Sequence, residues 1–283
     1  MIKLAGIVTL YNPEEDVKKN IMSYLTDVDK LYIIDNTPNK DNKEVIPKSK
    51  KIEYIFNGEN LGVATALNMG ADLAIKAGYK WLLTMDQDSK FKKGDVEKIK
   101  VYIDDNNLES IGLVTPWHVI NTGVKIPKEK VDYPFEVMTS GNIISLDAYM
   151  KVGGYKDDYF IDDIDIEYCM NLNRHGYKIV RLNYVKLKHD LGDIEVKHVL
   201  NRDFVCSNHN YIRRYYMVRN TFLLCDSYEK YFPDYCKFLK RGLRGQLQNI
   251  VLFEKDKVRK LINMYRGYKD YKKGIRGVYP YGK

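Results

Sequence analysis

Cysteine is scarce and unpatterned in this 283-residue chain: Cys169, Cys206, Cys225 and Cys236 form no C-x-x-C pair and no framework spacing. That excludes a disulfide scaffold and a structural zinc site, and it predicts reduced thiols in a cytosolic protein. Nowhere do about 18 apolar residues run consecutively, so no spanning helix is expected. The first ten residues pass too quickly into Asn12-Pro13-Glu14-Glu15-Asp16 to act as a secretory signal. Neither G-x-G-x-x-G nor G-x-x-x-x-G-K-[ST] occurs, which removes the dinucleotide fingerprint and the P-loop. Internal repeats and low-complexity tracts are absent as well. The expectation is a cytoplasmic protein, soluble or peripheral at the inner face of a membrane.

What is present suffices for a full core, since 45% of the residues are hydrophobic. The formal charge of +8 is unevenly placed: residues 237–283 carry 14 Lys or Arg against 3 Asp or Glu, so the rest of the chain is slightly acidic. Leu239, Leu243, Leu247, Ile250, Val251, Val258, Leu261 and Ile262 recur in that basic tail at roughly helical spacing. Residues 231–283 are therefore predicted to be a basic, amphipathic helical extension of a domain spanning 1–230. Its apolar stripe suits either an anionic membrane surface or packing on the preceding domain. The basic residues form no recognisable nucleic-acid module, and nucleic acid is not expected as a partner.

The first 115 residues alternate short β-branched runs with helical ones, as in a Rossmann-like α/β fold with a mostly parallel sheet flanked by helices. Strands are predicted at 4–10, 30–35, 52–56, 80–86 and 111–115, with helices at 14–26, 62–77 and 94–105. Residues 116–145, punctuated by Pro116, Pro127 and Pro134, read as a hairpin or a crossing strand. Helices return at 164–176 and 210–228, with strand structure near 178–188.

Trp81-Leu82-Leu83-Thr84-Met85 reads as a buried strand, and it ends in Asp86-Gln87-Asp88-Ser89. Two carboxylates at the carboxyl end of a central strand suit Mg²⁺ or Mn²⁺, whose open positions take phosphate oxygens. Solvated turn carboxylates are the plainer alternative. The second strand ends in Asp35-Asn36-Thr37, placing a carboxylate within reach of a base or ribose at the same edge. Asn60-Leu61-Gly62 opens a helix of small residues that admits a ligand closely. A second acidic cluster, Asp162-Asp163-Ile164-Asp165, is costly beside apolar residues unless solvated, ion-bound or helix-capping, and it offers a carboxylate as general base.

These segments carry a resemblance. Gly6-Ile7-Val8-Thr9-Leu10-Tyr11-Asn12-Pro13, Ile33-Ile34-Asp35-Asn36, Asn60-Leu61-Gly62-Val63-Ala64, Asp86-Gln87-Asp88-Ser89, Phe160-Ile161-Asp162, His189-Asp190-Leu191-Gly192-Asp193 and Arg213-Arg214-Tyr215-Tyr216-Met217-Val218-Arg219-Asn220 occur in one order. In that order the chain resembles the inverting family 2 glycosyltransferases of GT-A fold, and within them the bacterial rhamnosyltransferases of polysaccharide assembly. The resemblance covers about the first 230 residues.

It implies that Thr9, Asp35, Asn60, Gly62, Asp86 and Arg219 contact a nucleotide-sugar donor, and that Asp88, with Asp86 and His189, holds Mg²⁺ or Mn²⁺. It further implies Asp163 or Asp162 as the base, Asp163 preferred. The Thr139-Ser140-Gly141-Asn142 segment is similar to the one lying beneath the family's reacting sugars. The implied donor is dTDP-rhamnose, with a UDP-hexose or UDP-galactofuranose as alternatives, and the implied acceptor is a saccharide or a polyprenyl-diphosphate-linked saccharide of capsule or O-antigen synthesis. A haloacid-dehalogenase-like phosphatase also carries Asp-X-Asp after a strand. Its nucleophile follows an early strand, however, and it would leave Asp35 and Asn60 without a role.

Overall fold

The computed structural model describes residues 1–106, 109–119, 126–188, 195–199 and 202–282. They divide into two compact units, Met1–Lys156 with Tyr168–Asp190, and Asp157–Glu167 with Leu191–Lys283. In the first unit, strands β1 (Leu4–Leu10), β2 (Lys30–Asp35), β3 (Ile52–Phe56) and β4 (Trp81–Asp86) run parallel. β1 is buried almost without interruption, the pattern of a strand covered on both faces.

Beyond β4 the sheet continues through β8 (Asn142–Ser145), β6 (Ile111–Val119), β9 (Lys178–Lys188) and β5 (Lys90–Phe91), while β7 (Val131–Asp132) pairs with β9. β8 is antiparallel to both of its neighbours, with Thr84 opposite Asn142 and Val114 opposite Ile143. The sheet is thus mixed: its first half is the expected parallel stack, and the crossing strand anticipated in 116–145 is inserted between β4 and β6.

Helices α2 (Val63–Lys76) and α3 (Asp95–Asp105) fall where the apolar spacing places them. Helix α1 (Val17–Met22) is shorter than predicted, because Ser23 turns its hydroxyl back onto the Asn20 carbonyl at 2.6 Å and also accepts the Phe91 N–H, competing with helix propagation. Helix α4 (Leu146–Val152) starts from Ser145, whose hydroxyl caps Ala148 N–H. Helix α5 (Ile164–Arg174) contains the division between the two units at 167/168.

The second unit joins the hairpin β10 (Glu195–Val199) and β11 (Arg202–Cys206) to helices α6 (Tyr211–Tyr228), α7 (Pro233–Leu252) and α8 (Lys257–Lys272). The predicted boundary at 230/231 cuts through this body, because α6 supplies the apolar face on which the basic helices pack. Val218, Leu243, Ile250 and Met264 form that small core, with Phe222 and Leu261 against it. Close approach of α8 to α6 requires Gly267, where a Cβ would lie 2.4 Å from the Tyr215 carbonyl oxygen. Arg214, Glu254 and Lys260, each about 95% buried or more, form an ion triad with Glu254 bridging at 2.6 and 2.8 Å.

Close packing predicts two opposite outcomes for one substitution. A Cβ on Gly70 of α2 would meet Ile7 of β1 at 2.0 Å, so Gly70→Ala is expected to destabilise by about 1–3 kcal/mol. Gly242 in α7 has nothing within 4 Å, and Gly242→Ala is expected to stabilise by about 0.5–1 kcal/mol. Urea unfolding of both variants checks the pair.

Candidate active site

Parallel pairing decides which residues reach the carboxyl edge of the sheet. In register, Thr9 lies opposite Ile34 on one side and Asp86 on the other, and Leu10 lies opposite Asp35. Thr9, Asp35 and Asp86 are therefore gathered at the ends of three adjacent strands, the edge at which open α/β sheets bind ligands.

Asp35 is fully buried. Its Oδ1 accepts the Thr37 N–H at 2.9 Å, and its Oδ2 accepts the Tyr54 hydroxyl at 2.7 Å, the Asn42 side-chain amide at 2.9 Å and the Asn42 N–H at 3.2 Å. Burial, and then the bond to Asp35, pushes the Tyr54 phenol well up. In this structure the carboxylate organises the loop that follows β2 rather than facing outward. Asn36 continues the arrangement by donating to the Gly62 carbonyl at 2.9 Å and accepting from Asn57 at 2.8 Å. Asn60 accepts the Gly62 N–H at 3.0 Å, and Gly62 sits at φ 88°, a turn that opens α2 with its small-residue face.

The Asp86-Gln87-Asp88 turn is held from three sides. Asp86 N–H donates to the Ser140 hydroxyl at 3.0 Å. Gln87 reads the backbone of Tyr11, accepting its N–H at 2.9 Å and donating to its carbonyl at 3.1 Å, while Asn20 donates to the Gln87 carbonyl. Asp86 is half-buried and Asp88 is exposed. Sequence reasoning passed over Gln87, Asn20 and His118, whose ring nitrogen lies 2.6 Å from the Ser140 carbonyl. Of these, Gln87 had a signal in the sequence, since it lies between the two candidate carboxylates. Gly141, in the segment similar to the one beneath the family's reacting sugars, adopts φ 83°, and a Cβ there would meet Leu187 and Pro116 of its own unit at 2.8 and 3.0 Å.

Two carboxylates from one turn suit a hard ion such as Mg²⁺, which commonly takes one or two protein carboxylates and fills its other positions with water and phosphate oxygens. Among the described residues no group of three or more His, Cys, Asp or Glu gathers as a metal cluster. His189 lies outside the described residues.

Asp162 and Asp163 belong to the second unit. Phe160, Asp162 and Asp163 all have positive φ, at 66°, 64° and 59°, a conformation that costs a non-glycine residue of order 1–3 kcal/mol and persists only when surroundings enforce it. Helix α6 enforces it. The Asn220 side-chain amide donates to the carbonyls of Tyr159, Ile161 and Asp162 at 2.8–3.0 Å, and Tyr216 stacks on Phe160 with centroids 5.3 Å apart.

The guanidinium of Arg213 takes both oxygens of Asp162, and Asp163 accepts the Thr221 hydroxyl at 2.8 Å on Oδ2. Arg219, expected at the donor, is fully buried. It donates to the carbonyls of Gly277, Asp158 and Tyr159 and to Asn220, so its guanidinium is spent on shaping this turn.

His209 stands beside this arrangement, 3.4 Å from Arg213. Burial first, and the Arg213 charge second, push its pKa down to about 4 against the opposing pull of Asp162. A histidine depressed from 6.5 contributes stability that is complete above pH 6.5 and is lost as pH falls toward 4. His209→Gln is expected to flatten the fall in the urea midpoint between pH 6.5 and 4, and equal slopes in variant and parent would refute the assignment.

Comparison with known proteins gives the family and the fold. Residues 7–169 match the model of Glycosyl transferase family 2. The dTDP-rhamnosyl transferase RfbF of Shigella flexneri is 27% identical over 242 residues, covering 77% of this chain and 78% of that protein. Among solved structures, S. aureus TarS 1-349 in complex with UDP-GlcNAc aligns with a TM-score of 0.59 and 12% identity over 97% of this chain and 82% of that one. GalNAc-T7 with UDP, GalNAc and Mn²⁺ aligns with a TM-score of 0.60 and 11% identity over 83% of this chain, which spans half of that one. At such identities the structural matches establish the fold, the GT-A arrangement.

Proposed function

The chain belongs to glycosyl transferase family 2, and from that premise we propose that it transfers L-rhamnose from dTDP-rhamnose, with inversion, to a saccharide or lipid-linked saccharide acceptor of cell-surface polysaccharide synthesis. The observation that carries the donor choice is the 27% identity to the RfbF dTDP-rhamnosyl transferase over most of both chains. The strand register supports a nucleotide site on Thr9, Asn60, Gly62 and Asp86, which lie at or beside one sheet edge, with buried Asp35 ordering the loop beside them.

Inversion follows from a single displacement. The acceptor hydroxyl oxygen attacks the anomeric carbon, the bond from that carbon to the diphosphate oxygen breaks, and the hydroxyl proton passes to a carboxylate. We assign this task to Asp163, which the Thr221 hydroxyl orients at 2.8 Å, while Arg213 takes both oxygens of Asp162. Asp162 then acts as a positioning residue. Asp86 and Asp88 would hold Mg²⁺ or Mn²⁺, which supplies Lewis-acid neutralisation of the charge on the departing nucleoside diphosphate.

No helix among the described residues is long and apolar enough to cross a membrane. Exposed Phe238, Leu247 and Val251 on α7, interspersed with Lys237, Arg241 and Arg244, support a peripheral position on an anionic surface.

With purified protein and a panel of nucleotide sugars, dTDP-rhamnose is expected to give acceptor-dependent dTDP release that Asp88→Ala abolishes. A response confined to a UDP-hexose would replace the donor assignment. Asp163→Asn is expected to lower kcat by roughly 10²–10⁴-fold with donor affinity retained. Full activity in that variant, with loss in Asp162→Asn, would transfer the base to Asp162.

A further inference from the structure

Helix α8 presents a second, separate concentration of chemistry within the C-terminal unit. A cavity of about 260 Å³ is lined by Tyr211, Arg259, Asn263, Arg266, Tyr279 and Tyr281. Arg259 and Arg266 are seven residues apart, two turns of one helix face, and both line the cavity. The Arg259 guanidinium lies 3.7 Å from the Tyr211 ring centroid and that of Arg266 lies 4.5 Å from the Tyr281 ring. Arg266 also donates to the Tyr279 hydroxyl, which in turn donates to buried Asn263.

The nearby carboxylate does not neutralise this charge. Asp270 is fully buried and accepts the hydroxyls of Tyr215 and Tyr281, at 2.9 and 2.7 Å. Among the described residues neither Arg259 nor Arg266 is in an ion pair, in contrast to Arg213 and Arg214 of α6. Two guanidiniums are thus fixed by aromatic stacking with their charges unspent, and stacking restrains their rotamers before any ligand arrives.

The geometry points to an anion site for a phosphate or diphosphate group, gripped by Arg259 and Arg266 between the tyrosines. Planar guanidiniums bind phosphate oxygens in bidentate fashion. A volume below the roughly 300–1,000 Å³ of drug-sized pockets excludes an entire nucleotide sugar and suits the phosphate group alone. The apolar residues Val258, Ile262 and Tyr265, exposed along the adjoining stripe of α8, would accommodate an apolar chain attached to that phosphate. The phosphate could arrive free or as the headgroup of an amphiphile. The site is independent of which sugar is transferred and of the base assignment.

The test titrates the full chain in EDTA, which keeps a metal-dependent donor site unloaded, with inorganic diphosphate observed by ³¹P NMR line broadening. In parallel the protein is sedimented with phosphatidylglycerol–phosphatidylcholine vesicles and with phosphatidylcholine vesicles alone. Arg259→Gln, Arg266→Gln and the double variant are compared with the parent, their folding checked by circular dichroism and by nucleotide-sugar turnover on a soluble acceptor, which is expected to be unchanged.

At least a tenfold loss of diphosphate affinity in each single variant identifies a site for free phosphate anions. Loss confined to sedimentation with the anionic vesicles identifies a headgroup site. Equal binding by parent and double variant in both arms, or no binding by the parent in either, overturns the proposal.

Discussion

Strand β1 is hydrogen-bonded on both sides, and its register against β2 and β4 is the constraint from which the sheet edge follows. Side chains alternate faces with period two, so a slip by one residue would turn Thr9 and Asp86 to opposite faces and exchange the faces against which Ile7 and Val8 pack. Three features hold the register. The strand is apolar and fully buried along most of its length, Asp29 closes its start by accepting the Leu4 N–H, and α2 lies on it through Gly70 with no room for a methyl group. Past the strand ends, Gln87 fastens Tyr11, and Thr37 accepts the Asn12 N–H. The loops at the edge are therefore tied to one another as well as to their own strands.

The second unit meets a different requirement, which is to keep a strained turn from relaxing. Three non-glycine residues in left-handed conformation within four positions would not persist in an isolated peptide. Asn220 and Arg219 bind the carbonyls of the turn, Arg213 and Thr221 bind its carboxylates, and Tyr216 covers Phe160. Arg213, Tyr216 and Asn220 recur three and four apart on one face of α6, with Arg219 and Thr221 on either side of Asn220, so a single helix sets both the path of the turn and the aim of its carboxylates.

Much of this was legible beforehand. The five strands predicted in the first 115 residues, β9 and helices α2, α3 and α6 follow from apolar runs and periodicity, because burial on both faces leaves a strong signal. The two-residue strands β5 and β7 and the antiparallel placement of β8 were not legible, since such short pairings are decided by neighbours distant in sequence. The site was read in pieces. The sequence shows that Asp35 ends a strand, but not that four donors bury it. It also shows two conspicuous segments, Phe160-Ile161-Asp162 and the arginine- and tyrosine-rich start of α6. That one exists to hold the other emerges only when residues 51 or more positions apart meet.

The arginines of α6 and α8 show why residue type alone misleads. Arg213 is paired with a carboxylate in a partly open position, Arg214 is buried in a triad with Glu254 and Lys260, and Arg219 is buried on backbone carbonyls. A guanidinium removed from water must have its donors occupied, so the most deeply buried arginines are the ones whose chemistry is already consumed by the fold. Availability for an anion therefore increases as burial decreases. Arg219, whose place in a motif made it the favoured ligand, is excluded by its four protein acceptors, while Arg259 and Arg266, in no motif, retain their charge because tyrosine faces support them without neutralising them.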